Sequence, residues 1–261
     1  MNREALSSID RVWLRMEDPT HPMMITVLLV FDAPIEFERL QAVFSGRLLL
    51  FSRFRQRVVQ PREDGGSEAW EDDSPFDLDH HLKQVSLSAP ADEGALRAVV
   101  GELMSKQLDL TRPLWQFHLI GPYGTGCALV GRVHHCLADG PALMHVLLAL
   151  TDAEPNALPP AATAQALPPS PEPARGTATQ LTELLVQQGF CIVFNPFRLR
   201  SLARLGSGTM KAMSNLLWRS PDRSTIFRGE LGVAKKVSWS RPVQLAEVQA
   251  VGRAVGGSVN D

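Results

Sequence analysis

Arg132 to Pro141 read RVHHCLADGP, and the fold turns on how this stretch is parsed. Immediately upstream, CALVGRVHH (127–135) is a short apolar run bounded by turn residues, which predicts a strand. Immediately downstream, PALMHVLLAL (141–150) predicts a helix with Pro141 in its first turn. The histidine pair therefore stands where a strand opens into a loop and a helix begins. Such strand ends are where α/β folds place their chemistry.

Working outward, WQFHLIG (115–121) and CALVGRVHH are separated by a Gly- and Pro-containing segment and predict a hairpin. MMITVLLVFD (23–32) predicts another strand, and SSIDRVWLRME a helix capped by Ser7 or Ser8. Apolar residues at steps of three and four, Phe37, Leu40, Phe44, Leu48 and Phe51, predict one amphipathic helix over 36–59. DEGALRAVVGELMSKQL (92–108) predicts a further helix, EDGGSE (63–68) a turn and AWEDD a short strand. Residues 153–176 are rich in Pro and Ala and read as a linker. Helices are expected at 177–194 and 198–218, a strand at 233–240 and a helix at 244–255. The expected organisation is an N-terminal domain at 1–152, the linker, a helical connector at 177–222, and the start of a second domain at 223–261. Irregular alternation of strands and helices predicts an α/β (α+β) fold with a mixed sheet.

The chain has 261 residues, 44% of them hydrophobic, so a sizeable core is available. A formal net charge of −2 gives no electrostatic case for nucleic acid. Cys127, Cys136 and Cys191 have no paired spacing, which argues against a disulfide framework and fits a reducing, cytoplasmic compartment. No apolar run reaches the roughly 20 residues that cross a bilayer, and the N-terminus lacks a signal-peptide core. The stop after GRAVGGSVND reads as interior sequence, so a missing C-terminal domain or a second chain is expected.

Alternation along a strand puts Leu129, Gly131, Val133 and His135 on one face and Val130, Arg132 and His134 on the other. The two imidazoles are then expected to point in opposite directions, which disfavours one metal ion between them. The plain reading of each is a hydrogen-bonded core histidine. The strand-end position favours instead a general base, since an imidazole titrates near neutrality. Asp139 is suited to orienting a ring, pairing with an arginine such as Arg132, or capping the helix; Gly140 is suited to a tight turn. No GxSxG and no Cys-His arrangement supplies a nucleophile. A lone base fits direct acyl transfer from a thioester to a hydroxyl or amine, without a covalent enzyme intermediate and without a cofactor.

HHCLADG (134–140) resembles the HHxxxDG motif of the acyltransferase superfamily typified by chloramphenicol acetyltransferase, shared with the condensation domains of peptide synthetases. LSSIDRVWLRMEDPTHPMMI, RPLWQ (112–116), FDLDHHL (76–82) and GGSVND (256–261) are similar to segments of bacterial wax ester synthase/diacylglycerol acyltransferases. The resemblance covers the whole chain and about the first half of the usual family length. It implies a two-layer sandwich with a tunnel between two domains, and transfer of a fatty acyl group from coenzyme A to a long-chain alcohol or diacylglycerol. It implies His135 as general base, His134 as support and Asp139 as a structural residue. Pro113, Leu114 and Trp115 resemble a packing segment beside the active-site strand and are candidates for substrate contact. Asn260 and Asp261 match the Asn-Asp pair of the second-half motif. Carrier-protein thioesters, or a lipid-binding module without catalysis, are the competing expectations.

His80 and His81 form a second pair, read as a strand with solvated or locally bonded rings. His145 reads as packing or pocket lining. Arg53, Arg55, Arg57 and Arg62 read as a solvated helix end suited to the helix dipole, with a coenzyme A phosphate as the alternative. Residues 186–218 mix basic and apolar side chains, so peripheral contact with the inner membrane or lipid inclusions stands beside inter-domain packing.

Overall fold

The computed structural model of the chain describes residues 3–60, 68–152 and 231–259. Its strands are β1 (Arg3–Ala5), β2 (Met24–Phe31), β3 (Gln56–Val59), β4 (Ala69–Asp72), β5 (Leu82–Ser86), β6 (Trp115–Tyr123) and β7 (Gly126–His134). Its helices are α1 (Ser8–Met16), α2 (Phe37–Gly46), α3 (Glu93–Ser105), α4 (Gly140–Ala149) and α5 (Leu245–Ala254). The linker, the connector helices, Arg62, Cys191, Asn260 and Asp261 lie outside the described residues, as does most of the 63–68 turn.

The main sheet has the order β2-β7-β6-β5. β6 and β7 form the expected antiparallel hairpin, β2 pairs antiparallel with β7, and β5 runs parallel to β6. The sheet is therefore mixed. β7 is buried along its whole length, which explains its unbroken apolar run: both faces are covered. On one face, Phe117, Leu119, Leu129 and Val133 meet Leu40 and Phe44 of α2 and Ala142, Leu143 and Val146 of α4. On the other, Ile120, Ala128 and Val130 meet Leu96, Val100 and Leu103 of α3. Helices α2 and α4 thus cover one face of the sheet and α3 the other. Gly131 is needed within it, because a Cβ there would lie 2.4 Å from Cε1 of Phe117, whose ring lies against β7.

Side chains start α1 and α3 as capping chemistry requires. Ser7 accepts from the N–H of Asp10 before α1, and Asp92 from that of Ala95 before α3. Two expected elements differ. The helix over 36–59 ends at Gly46; Leu48–Leu50 and Ser52–Arg55 continue as 3-10 turns, and 56–59 is β3. The three-residue step of a 3-10 turn keeps Leu48, Phe51 and Phe54 facing the core, each with no exposed surface, although the α-helix has ended. Residues 233–240 are extended but pair with no strand among the described residues. They lie along α3, where the N–H of Lys235 donates to Oγ of Ser105 and the Arg97 guanidinium covers the Trp239 ring.

β1, β4 and β3 form a second, smaller sheet. The arginines expected at a solvated helix end are engaged around it. Arg53 lies over the Trp70 ring at 4.5 Å and pairs with Glu4, Arg55 donates to the carbonyl of Leu49, and Arg57 pairs with Glu71.

Candidate active site

The backbone of the histidine pair is clamped from both sides. The N–H of His134 donates to the carbonyl of Leu114 at 3.0 Å, and that of His135 to the carbonyl of Met23 at 2.9 Å. β7 ends at His134; His135 lies in the turn that follows, closed by the N–H of Leu137 donating to the carbonyl of His134. Strand alternation therefore stops one residue too soon to orient His135. The two rings are met by residues from one helix and its end, not from opposite sides of a strand.

His134 is fully buried. Its Nδ1 accepts from the N–H of Cys136 at 3.1 Å, which leaves its proton on Nε2. Nε2 faces Oε2 of Glu17 at 3.5 Å, and the same oxygen accepts from the N–H of Met23 at 2.5 Å. Burial, then the neighbouring His135, pushes the His134 imidazole down to about 4. The ring is thus neutral, and its contact with Glu17 is that of an N–H facing a carboxylate rather than an ion pair. The bond from Met23 to Glu17 ties the end of α1 to the residue whose carbonyl holds the backbone of His135.

His135 is half-buried, so part of its surface stays exposed. Its ring stacks on the indole of Trp13, with centroids 4.7 Å apart and planes 22° apart. Burial moves its pKa below the ordinary histidine value, opposed by the charge of Asp139. A neutral imidazole with an accessible edge is what a general base requires. Trp13 was not singled out by sequence. It sits in a helix whose pattern marks only amphipathicity, and no local spacing links it to His135.

Asp139 caps α4: Oδ1 accepts from the N–H of Ala142 at 2.8 Å. Gly140 does not make the tight turn expected of it. It is the first residue of α4, its φ is not positive, and a Cβ there would meet nothing within 4 Å. Arg132 is buried among other partners, donating to Oε1 of Gln116 and the carbonyl of Lys106. Burial pushes the Cys136 thiol far up, so it stays protonated and unreactive beside the pair.

Leu114 and Trp115 are fully buried and Pro113 is buried with them, so the three present no surface to a substrate, correcting their candidacy for contact. Their part is to hold the site: Leu114 through His134, and Trp115 through Nε1 donating to the carbonyl of Phe54. FDLDHHL is not a strand; Leu78–His80 is a 3-10 turn leading into β5. His81 is buried, with its ring between Phe76 and Trp115 and its Nδ1 bonded to the carbonyl of Trp115 at 2.8 Å. His145 is exposed on α4 with its ring perpendicular to that of Phe51, centroids 6.1 Å apart. An apolar cleft of about 610 Å³, lined by Leu29, Ile35, Leu40, Leu129 and Leu147 among others, opens at the end of β2 and β7 remote from the motif. Among the described residues no three His, Cys, Asp or Glu side chains gather as a metal site, and no helix is long and apolar enough to cross a membrane.

The catalytic-domain family of wax ester synthases/diacylglycerol acyltransferases matches residues 6–261. A putative diacylglycerol O-acyltransferase of Mycobacterium tuberculosis is 25% identical over 276 aligned positions, covering 99% of this chain and 52% of that protein. A second, probable diacylglycerol O-acyltransferase from the same organism is 33% identical over 56% of this chain and 33% of its own length. Among solved structures, the wax ester synthase/diacylglycerol acyltransferase of Marinobacter aquaeolei is 29% identical with a TM-score of 0.46, covering 54% of this chain and 36% of that one. The chain spans about half the length of the first of these relatives.

Proposed function

Because the chain belongs to the wax ester synthase/diacylglycerol acyltransferase family, we propose that it serves the transfer of a fatty acyl group from coenzyme A to the hydroxyl of a long-chain alcohol or diacylglycerol. His135 is the general base. Its neutral imidazole takes the hydroxyl proton as the oxygen attacks the thioester carbonyl. The tetrahedral intermediate collapses with cleavage of the C–S bond, and the imidazolium returns the proton to the departing thiolate. Ester and free coenzyme A are the products; no acyl group rests on the protein and no cofactor is required.

One observation carries this reading: His135 is half-buried just past the end of β7, held neutral by burial and stacked on Trp13. Asp139 has a structural part through its cap, and His134 a supporting one through the turn. Leu245, Val248 and Val251 of α5, and Val255 just beyond it, are exposed, which supports the docking of a further domain or chain that would close a tunnel over His135. Peripheral contact with membrane or lipid inclusions is part of the same proposal.

Palmitoyl-coenzyme A with hexadecanol or diacylglycerol tests it, by free thiol release and ester product. Ester formed by the parent and lost in His135→Ala is the expected result. Turnover that depends on a phosphopantetheine carrier would instead place the chain with condensation-type enzymes. Lipid binding without turnover, by this chain and by a full-length form, would make it a binding module.

A further inference from the structure

The structure assigns a role to Trp13, a residue of α1: we propose that it is a positioning residue, setting the plane of the His135 ring so that one nitrogen faces the acceptor hydroxyl. The inference rests on the reading of His135 as the base.

Three observations lead to it. His135 lies beyond the last residue of β7, so no strand neighbour fixes its side chain. Among the described residues its ring makes no hydrogen bond; its backbone is held by Met23, but its plane is not. The terminal torsion of a histidine is broad, with no rotamer preference strong enough to choose a plane. Among the described residues the one ring stacked against it is the Trp13 indole, with centroids 4.7 Å and planes 22° apart. Trp13 is itself anchored, because α1 ends at Glu17, whose carboxylate accepts from Met23 and faces His134. Helix α1 thus touches both members of the pair: through Glu17 it holds the turn, and through Trp13 it holds the plane. A base must come within about 3 Å of the proton it takes, and misplacement by ~1 Å costs on the order of 10²-fold in rate.

Two substitutions separate a flat face from mere apolar bulk: Trp13→Phe keeps a ring, and Trp13→Leu fills space without one. On the whole chain, kcat for palmitoyl-coenzyme A and hexadecanol should fall about 10- to 100-fold in Trp13→Leu and by no more than about threefold in Trp13→Phe, with KM little changed in both. The second readout needs no turnover. The Cε1 proton of His135, assigned in the NMR spectrum by its loss in His135→Gln, should carry an upfield ring-current shift. Trp13→Phe should keep part of that shift and Trp13→Leu lose it. A Trp13→Leu protein with the parent's kcat, or one that keeps the parent's Cε1 shift, overturns the proposal. If the parent turns over no substrate, the acyl-transfer reading fails while the Cε1 shift still decides whether the indole sets the ring. Should Trp13→Leu fail to fold, an unshifted Cε1 proton in the parent, or a Trp13→Phe kcat reduced as far as that of His135→Ala, overturns it equally.

Discussion

The chain contains two adjacent histidine pairs, His80-His81 and His134-His135, and the same dipeptide has a different environment in each. In both, one ring is buried and neutral, and its Nδ1 is bonded to a neighbouring backbone group. His81 does this between Phe76 and Trp115, and His134 at the end of β7. The more exposed members differ. His80 pairs with Asp77 on an open surface, both side chains about half exposed. His135 lies half-buried on an indole, in the turn between a fully buried strand and a capped helix. A histidine at a surface pair keeps ordinary solvation. One partly stripped of water is favoured in its neutral form, and the tertiary surroundings alone separate the two cases.

The largest expected effect breaks this comparison most directly. His135→Ala should lower acyl transfer by ~10²–10⁴-fold, while His80→Ala leaves it within about twofold. Equal losses at both positions, measured as thiol release, would erase the distinction. Next comes pH. His134, and His118 of β6, are pushed by burial to about 4, whereas the unfolded chain takes up these protons near the ordinary histidine value of about 6.5. The folded pKa is the lower one, so this stability is complete above about pH 6.5 and is lost as pH falls toward 4, on the order of 3 kcal/mol for each ring. Urea midpoints at pH 7 and pH 5 should show the drop. An unchanged midpoint would mean that these rings are hydrated and that burial does not distinguish His134 from His80.

Smaller effects sharpen the account of the turn. Asp139→Ala removes the cap of α4 and should cost about 1 kcal/mol of thermal stability, whereas Asp139→Asn keeps an acceptor and should cost only a few tenths. An Asn variant of parental stability with abolished turnover would give Asp139 a direct part in the chemistry. The smallest effect is at Gly140. It is helical and its Cβ direction is open, so Gly140→Ala should leave the melting temperature unchanged or raise stability by about 0.5 kcal/mol or less. A loss of turnover without a loss of stability would mark that open space as ground the substrate occupies.

Much of the fold was legible in the sequence where the signal is local. The β6-β7 hairpin, β2, α1 with its Ser7 cap, and α3 follow from apolar period and capping residues. β1 was missed because Arg3–Ala5 is exposed and carries no apolar pattern; it pairs with β4 through the backbone and through the Arg3–Glu71 ion pair, a partner far away in the chain. In 233–240 the alternation is real, with Lys235, Val237 and Trp239 less exposed than their neighbours. It reports an extended backbone laid face-down on α3, and period two cannot tell that from a paired strand. At the candidate site, Asp139 as a cap and the strand-end position of the pair were readable. The direction of the His135 ring was not, because alternation ends with β7.

By itself the sequence determined α1, β2, α3 and the β6-β7 hairpin, the buried character of β7, the capped start of α4, and the motif that relates the chain to an acyltransferase family. These depend on neighbours within a few residues, where backbone geometry and hydrogen bonding act directly. Only the tertiary structure decided that Glu17 and Trp13 of one helix reach the two histidines, that Leu114 and Met23 clamp their backbone, and that His81 is a buried spacer against Trp115. Those contacts join segments far apart in the chain. Their geometry follows from how helices and sheet pack, which no local period or spacing encodes.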